Sequence, residues 1–432
     1  MQRQKMTMIL EKDLYQYISE YDDRLYQYVK EDKTDDIHSL KEELFLKLED
    51  LYELKDKTDH FSESKIVYIK SFIDQIFNEH IQDLKNRIQH RGNIREKLEK
   101  LKKLTLPEQR SQEWYDLRNK VMTASSLADA IGEGHFSTRE ELLIQKCGGP
   151  RGKVPFHIVE WGVMYEPVAT RFYELMNNLT ILEFGLVPHP EFKIFGASPD
   201  GICDITSPDD YIGRMLEIKC PPRRQFTKEV PRHYWMQMQG QLEACDLEEC
   251  DFLQVKIIEY FSEQDYQDDI FKENDSVQEG YSSLQLPKGL LLAFVTRATE
   301  GDPEIKYEYC EFYQSYDELI QWSNKILKEY RDKNIQYDEC VKHWWKIERY
   351  ECSLVGRDRK WWLETQPKLI DFWEDVEYYR KVGIQELLDK KEEKKTKRIK
   401  LKKEKTESKK TIYEIDKAIV EDIQKNYYLN SD

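Results

Sequence analysis

Three side chains near the middle of the chain could share one piece of chemistry. Asp200 stands beside Gly201 in Ser198-Pro199-Asp200-Gly201, and Glu217 and Lys219 flank Ile218 in Glu217-Ile218-Lys219-Cys220-Pro221. Asp-Gly is a strong turn signal. Alternate residues of a strand share a face, so Glu217 and Lys219 point one way while Ile218 points into the core. If Met215–Lys219 returns as the hairpin partner of Ile194–Ile202, the carboxylates of Asp200 and Glu217 converge. Two carboxylates at one point repel unless a cation lies between them, and ligation by oxygen alone favours a hard ion, Mg2+ or Mn2+. A divalent ion beside a lysine suits phosphodiester hydrolysis, because it activates water at neutral pH, orients it and stabilises charge on the phosphate.

These residues resemble the PD-(D/E)xK nuclease superfamily, and more closely its lambda-type exonuclease and YqaJ-like viral recombinase family. Five blocks carry the resemblance, in the family's order. Arg110-Ser-Gln-Glu-Trp114-Tyr-Asp-Leu-Arg118 leads into Val121-Met-Thr123-Ala124-Ser125. Trp161-Gly162 precedes Tyr165-Glu166-Pro167 and Ala169-Thr-Arg171-Phe172-Tyr173. Ser198-Pro-Asp-Gly and Glu217-Ile-Lys-Cys-Pro follow, and Tyr234, Gln237 and Gln239 close the set. The blocks span about Arg110 to Ile258, which leaves the first hundred residues and everything after about residue 300 outside.

The resemblance implies a restriction-endonuclease-like α/β (mixed α+β) core, a central mixed sheet flanked by helices. It makes Asp200 and Glu217 metal ligands, adds Glu166 and the backbone carbonyl of Ile218 to the set, and gives Lys219 the attacking water or the developing charge. Gln237 becomes an orienting residue. Gln241 shares its helix face one turn on, and Gln239 does not. Arg118 and Ser125 are assigned to a terminal 5′-phosphate, with Ser198 as a third donor; a guanidinium fork and a hydroxyl suit a phosphate dianion. Arg223 and Arg224 belong to a basic run, with Lys219, Lys228 and Arg232, where a DNA backbone would pass.

The elements that must hold these residues fall into four expected units: 1–104 a helical bundle or arm, 105–314 the core, 315–385 an aromatic-rich helical extension and 386–432 a charged tail. Leu10, Leu14, Tyr17, Tyr21, Leu25 and Tyr28 recur at three and four, as do Ile37, Leu40, Leu44, Leu48 and Leu51; such stripes must bury against neighbouring helices. Breaks are expected near Asp32–Asp36 and Thr58–Ser62. In the core, helices are expected over Gln112–Met122, capped by Ser111, over Ser125–Ile131, after a Ser137/Glu140 capping box, over Ile158–Met176 and over Arg232–Ala244. Strands are expected at Thr180–Val187, Glu191–Gly196, Gly213–Lys219, Phe252–Glu259, Leu290–Thr296 and Ile305–Phe312, with 259–283 as a loop. After Tyr316 the pattern reads as helix again. Trp344, Trp345, Trp361, Trp362 and Trp373 lie there among cations; packing is the plainer account, base stacking the sharper one.

Composition limits the alternatives. The chain has 432 residues, a formal charge of −16 and 35% charged residues. That balance excludes a non-specific DNA coat but permits a local basic groove. No apolar run is long enough to cross a membrane and the start lacks a signal-peptide segment, so a soluble intracellular protein is expected, in host cytoplasm or nucleus if viral. Its 8 cysteines show no metal-ligand spacing and read as free thiols. The implied activity is metal-dependent 5′→3′ digestion of linear duplex ends during viral-type recombination, repair or replication. An endonuclease or flap nuclease on the same core, and a recombination scaffold dominated by partner binding, are the alternatives. DNA is the implied partner; the resemblance also brings a strand-annealing protein and a ring-forming homo-oligomer into view.

Overall fold

Apolar side chains recurring every three or four residues make the N-terminal region helical. The computed structural model describes residues 22–51, 60–150, 156–222, 226, 229–297, 302–394 and 396–397. Here the chain forms α1 (Asp22–Lys30), α2 (Thr34–Leu51) and α3 (His60–Lys102). Leu25, Leu40, Leu44, Ile73, Phe77 and Leu84 close on one another as a core of their own. The break expected near Asp32–Asp36 is present, with Asp32 left-handed at φ 55°. Thr58 and Asp59 lie outside the described residues, and from His60 the chain is already helical.

Two compact units emerge: residues 1–103 with 204–213, and residues 104–203 with 214–432. The segment Asp204–Gly213 is tied within the first unit. Arg95 donates to Asp209 at 3.0 Å, Tyr26 to Asp209 at 3.1 Å and Lys102 to Asp204 at 3.1 Å.

The second unit begins with α4 (Gln112–Lys120), whose N-cap Ser111 accepts the N–H of Trp114. Then come β1 (Met122–Thr123), a 3-10 turn over Ala124–Ser126, α5 (Leu127–Ala130) and α6 (Arg139–Lys146). The capping box of α6 is Thr138 with Glu141, one residue beyond the expected pair. The helix α7 (Phe156–Asn177) continues through Pro167. Strands β2 (Ile181–Leu182), β3 (Val187–Pro188), β4 (Phe195–Ala197), β5 (Gly201–Cys203) and β6 (Met215–Lys219) precede α8 (Arg232–Cys245) and β7 (Glu249–Glu259). Next are α9 (Glu263–Asp268), the hairpin β8 (Phe271–Glu273) and β9 (Ser276–Gln278), β10 (Lys288–Thr296), β11 (Glu304–Tyr309), α10 (Tyr316–Asp332), β12 (Glu339–Gly356) and α11 (Arg359–Val382).

The main sheet has seven strands in the order β11-β10-β12-β7-β6-β5-β2, and a second has the order β1-β4-β3. Only β6 and β7 pair parallel in the main sheet; its other pairs are antiparallel. The fold is therefore mixed α/β, a sheet flanked by helices.

Two expectations need correction. Residues 339–356 are not helical but form β12, between β10 and β7. Trp344, Trp345 and Ile347 are buried on it, and pairing with β10 over 339–346 and with β7 over 345–356 outweighs a helix-compatible local pattern. Likewise 259–283 is no plain loop, since it carries α9 and the β8–β9 hairpin. Trp362 and Trp373 also pack in the core around Phe195 and Phe372. The tryptophans that could have stacked bases are, apart from the half-buried Trp361, core residues.

Candidate active site

The hairpin of β5 and β6 pairs Gly201 with Leu216 and Ile202 with Met215, the return that brings Asp200 toward Glu217. Asp200 Oδ2 accepts the backbone N–H of Ile218 at 2.7 Å. Gly201 is needed here, because a Cβ would meet Ile181 Cγ2 at 2.3 Å. Glu217 is wholly buried. Its Oε1 accepts from Gln237 Nε2 at 2.7 Å and from the Lys219 ammonium, and its Oε2 accepts from Gln241 Nε2 at 2.7 Å. Gln237 and Gln241 thus grip one carboxylate from one face of α8. Gln239 serves elsewhere, bonding Gly356 O at 2.8 Å and the N–H of Asp358 at 2.6 Å. Ile218 lies buried between Glu217 and Lys219 on β6.

Glu166 reaches the same field from α7. Arg110 Nη2 stands 3.3 Å from its Oε1. Burial raises the Glu166 carboxyl above its ordinary range, and the pull of Arg110 and Lys219 and the push of Glu217 act on top of that. Asp200 is raised well above its range, by burial first and then by Glu217 and Glu166, against the opposing pull of Lys219. Burial would depress Lys219, but Glu217 and Asp200 outweigh it and keep the ammonium charged. Its neighbour Cys220 is buried, and burial pushes its thiol up, which makes it a poor nucleophile.

The three candidate phosphate donors gather around Trp114. The Arg118 guanidinium lies 4.4 Å from the indole centroid and donates to Ser125 Oγ at 3.0 Å. The indole N–H donates to Ser198 Oγ at 3.1 Å. Lys146 secures the end of α4 by donating to the carbonyls of Arg118 and Val121, each at 2.7 Å. Arg223 and Arg224 lie outside the described residues.

Sequence reasoning gave no role to Trp114, Arg110 or Gln241. Trp114 and Arg118 are four apart on a helix, a spacing that puts them on one face and could have paired them. Nothing local announces that Arg110 meets Glu166; the turn that aims it has φ 69°.

The acidic side chains here offer oxygen donors only, the kind that hard ions prefer. Asp200, Glu217 and Glu166 are the side chains that could contribute. Among the described residues no group of three His, Cys, Asp or Glu side chains is placed to hold a metal ion, and Lys219 supplies the countercharge at Glu217.

A mixed sheet with an acid in a turn and an acid–x–lysine strand is consistent with the PD-(D/E)xK arrangement that the resemblance implied. Residues 113–248 match the model of the YqaJ-like viral recombinase domain. A protein of Acanthamoeba polyphaga mimivirus is 29% identical over 306 residues, covering 66% of this chain and 55% of that one. One from African swine fever virus is 24% identical over 160 residues, covering 32% and 46%. The chain thus spans about half the length of these relatives. The alkaline exonuclease from Laribacter hongkongensis is 19% identical, with a TM-score of 0.35, over 66% of this chain and 99% of that one. No described helix is long and apolar enough to cross a membrane.

Proposed function

We propose that the protein is a divalent-metal-dependent deoxyribonuclease that digests linear duplex DNA from 5′-phosphorylated ends. The observation that carries this reading is the approach of Asp200 to the Glu217-Ile218-Lys219 strand, with Gln237 and Gln241 fixing Glu217, inside the stretch that matches the YqaJ-like model. A bound Mg2+ or Mn2+ would supply an activated water and charge stabilisation.

The chain's own residues do the rest. Asp200, Glu217 and Glu166 would hold the ion, and the two glutamines keep the Glu217 carboxylate from turning. Lys219 stays protonated beside them and is placed to stabilise negative charge on the phosphate. Arg118, Ser125 and Ser198 offer a guanidinium and two hydroxyls for the terminal phosphate, which sets the 5′ polarity.

The test is a digestion time course on 5′-labelled linear duplex and on closed circular DNA, with Mg2+ and with chelator. The reading expects linear DNA to be consumed from the 5′ end, circles to survive and chelator to stop the reaction. Rapid cutting of circles would make the enzyme an endonuclease. Full activity in chelator would sink the metal.

A further inference from the structure

A cavity of about 580 Å³ opens beside the carboxylates, within the roughly 300–1,000 Å³ typical of small-ligand sites. Glu166 and Lys219 line it, together with the rings of His135, Phe136, His233 and Tyr234. The two imidazoles stack at 4.8 Å, and Phe136 meets them edge-on at 4.8 and 5.2 Å. Phe136 is nonetheless 74% exposed. Tyr234 lies under the Lys219 ammonium at 5.1 Å. An aromatic cluster therefore runs up to the group placed to meet the phosphate, with Phe136 standing edge-on to the paired imidazoles.

Gly162 also lines the cavity. It sits inside α7, one turn before Glu166 and on the same helix face. Glycine weakens a helix interior. Its φ is not positive, and a Cβ would meet nothing within 4 Å. No packing or backbone demand of the described chain calls for glycine there. What the missing side chain leaves is open room in the cavity, the usual reason for glycine where a ligand passes close to backbone.

We propose that this cavity receives an unpaired nucleobase of the strand whose phosphate lies at Asp200 and Glu217. The base stacks on the exposed Phe136 ring while the nucleotide passes over Gly162. The proposal rests on the nuclease reading for the position of the phosphate. A base still inside a duplex presents no free face, so the base must be unpaired. Every base has a π face, so the site accepts all of them.

The experiment uses the full chain in chelator and single-stranded oligonucleotides with 2-aminopurine at each position near a 5′-phosphorylated end in turn. At one or two positions the probe's fluorescence should be quenched on binding. An abasic residue there should weaken binding roughly 5- to 150-fold, the range of aromatic–base stacking. Phe136→Ala and Gly162→Leu should lose the quench and the discrimination, Phe136→Trp should keep both, and all three should unfold at the wild-type temperature or above. Equal binding of base and abasic strands by the wild type, or unchanged quenching in Phe136→Ala and Gly162→Leu, overturns the proposal. Cleavage assays on the same proteins separate the two readings. A wild type that quenches but never cuts sinks the nuclease reading, and one that cuts without quenching sinks the cavity.

Discussion

Glu217 is held more fully than any other candidate residue, and that makes it the place to test the site. Gln241 is buried and spends its amide N–H on Glu217 Oε2. Partners that orient a metal-binding carboxylate typically matter 10- to 100-fold, so Gln241→Ala should lower the cleavage rate by about that factor and raise the Mg2+ concentration needed for half-maximal rate; an unchanged Mg2+ titration would remove it from the site. Asp200 offers a test with a different sign. Its folded pKa is raised by burial, Glu217 and Glu166, so its stabilising contribution is complete below the ordinary carboxylate range and lost as pH rises through the raised value. In chelator the unfolding temperature should fall as pH climbs above about 4, and Asp200→Asn should flatten that fall while abolishing cleavage. Arg118→Ala should slow digestion of 5′-phosphorylated ends about 10- to 150-fold, the worth of a charge-assisted bidentate contact, and should erase any preference over 5′-hydroxyl ends. Lysine at 118 should rescue only partly, because it lacks the planar fork. An equal small loss on both ends would make Arg118 a structural residue. The shared face of Glu217 and Lys219 was legible because strand geometry acts over a few residues, whereas the approach of Asp200 to Ile218, 18 positions on, rested on a supposed hairpin. The Trp114–Ser198 bond and the Arg110–Glu166 pair join residues 84 and 56 positions apart, and no local period encodes them.

At the scale of elements, the same distinction explains β12. Helices with strong caps, such as α4 behind Ser111 and α10 behind Ser315, carry their start signals in sequence. β12 has no such signal, and its conformation comes from β10 and β7, which pair with it along most of its length. One charged network fastens this strand to the segment before β8. Asp269 accepts from Lys346 of β12 at 2.6 Å, from the N–H of Ser283 at 2.7 Å and from Tyr260 OH at 2.8 Å. Burial alone would raise the Asp269 carboxyl, but these partners outweigh it and hold it well below the usual carboxylate range. An acid with a depressed folded pKa contributes stability above its unfolded pKa and loses it as pH falls through the folded one. Asp269→Asn should therefore cost about 1.5–3 kcal/mol at neutral pH, the scale of hydrogen bonds to a charged group, with the difference from wild type shrinking below about pH 4. Urea titrations at pH 7 and pH 3 would show it; a constant difference would mean the charge is not what matters.

For the whole molecule the question is whether the helical unit is part of the catalytic machinery. The site residues described here, Asp200, Glu217, Lys219, Glu166, Gln237 and Gln241, all lie in the second unit, but the chain leaves that unit between β5 and β6 to supply Asp204–Gly213 to the first. Deleting residues 1–103 alone would strip that segment of Tyr26, Arg95 and Lys102, its hydrogen-bond partners. Asp204 and Asp209 would then lose the cations that pair with them, on a loop with no unit left to hold it. The junction itself is simple: Cys203 N–H donates to Arg214 O at 2.9 Å, so the two strand ends already face each other. A two-residue Asn-Gly turn fits such an antiparallel pair. A chain lacking 1–103, with 204–213 replaced by Asn-Gly, should fold, unfold cooperatively and still digest linear DNA. The simple deletion should be less soluble than this shortened form. If the short-turn chain shows native far-ultraviolet circular dichroism and a sharp thermal transition yet cuts no DNA, the helical unit must contribute to substrate binding or catalysis.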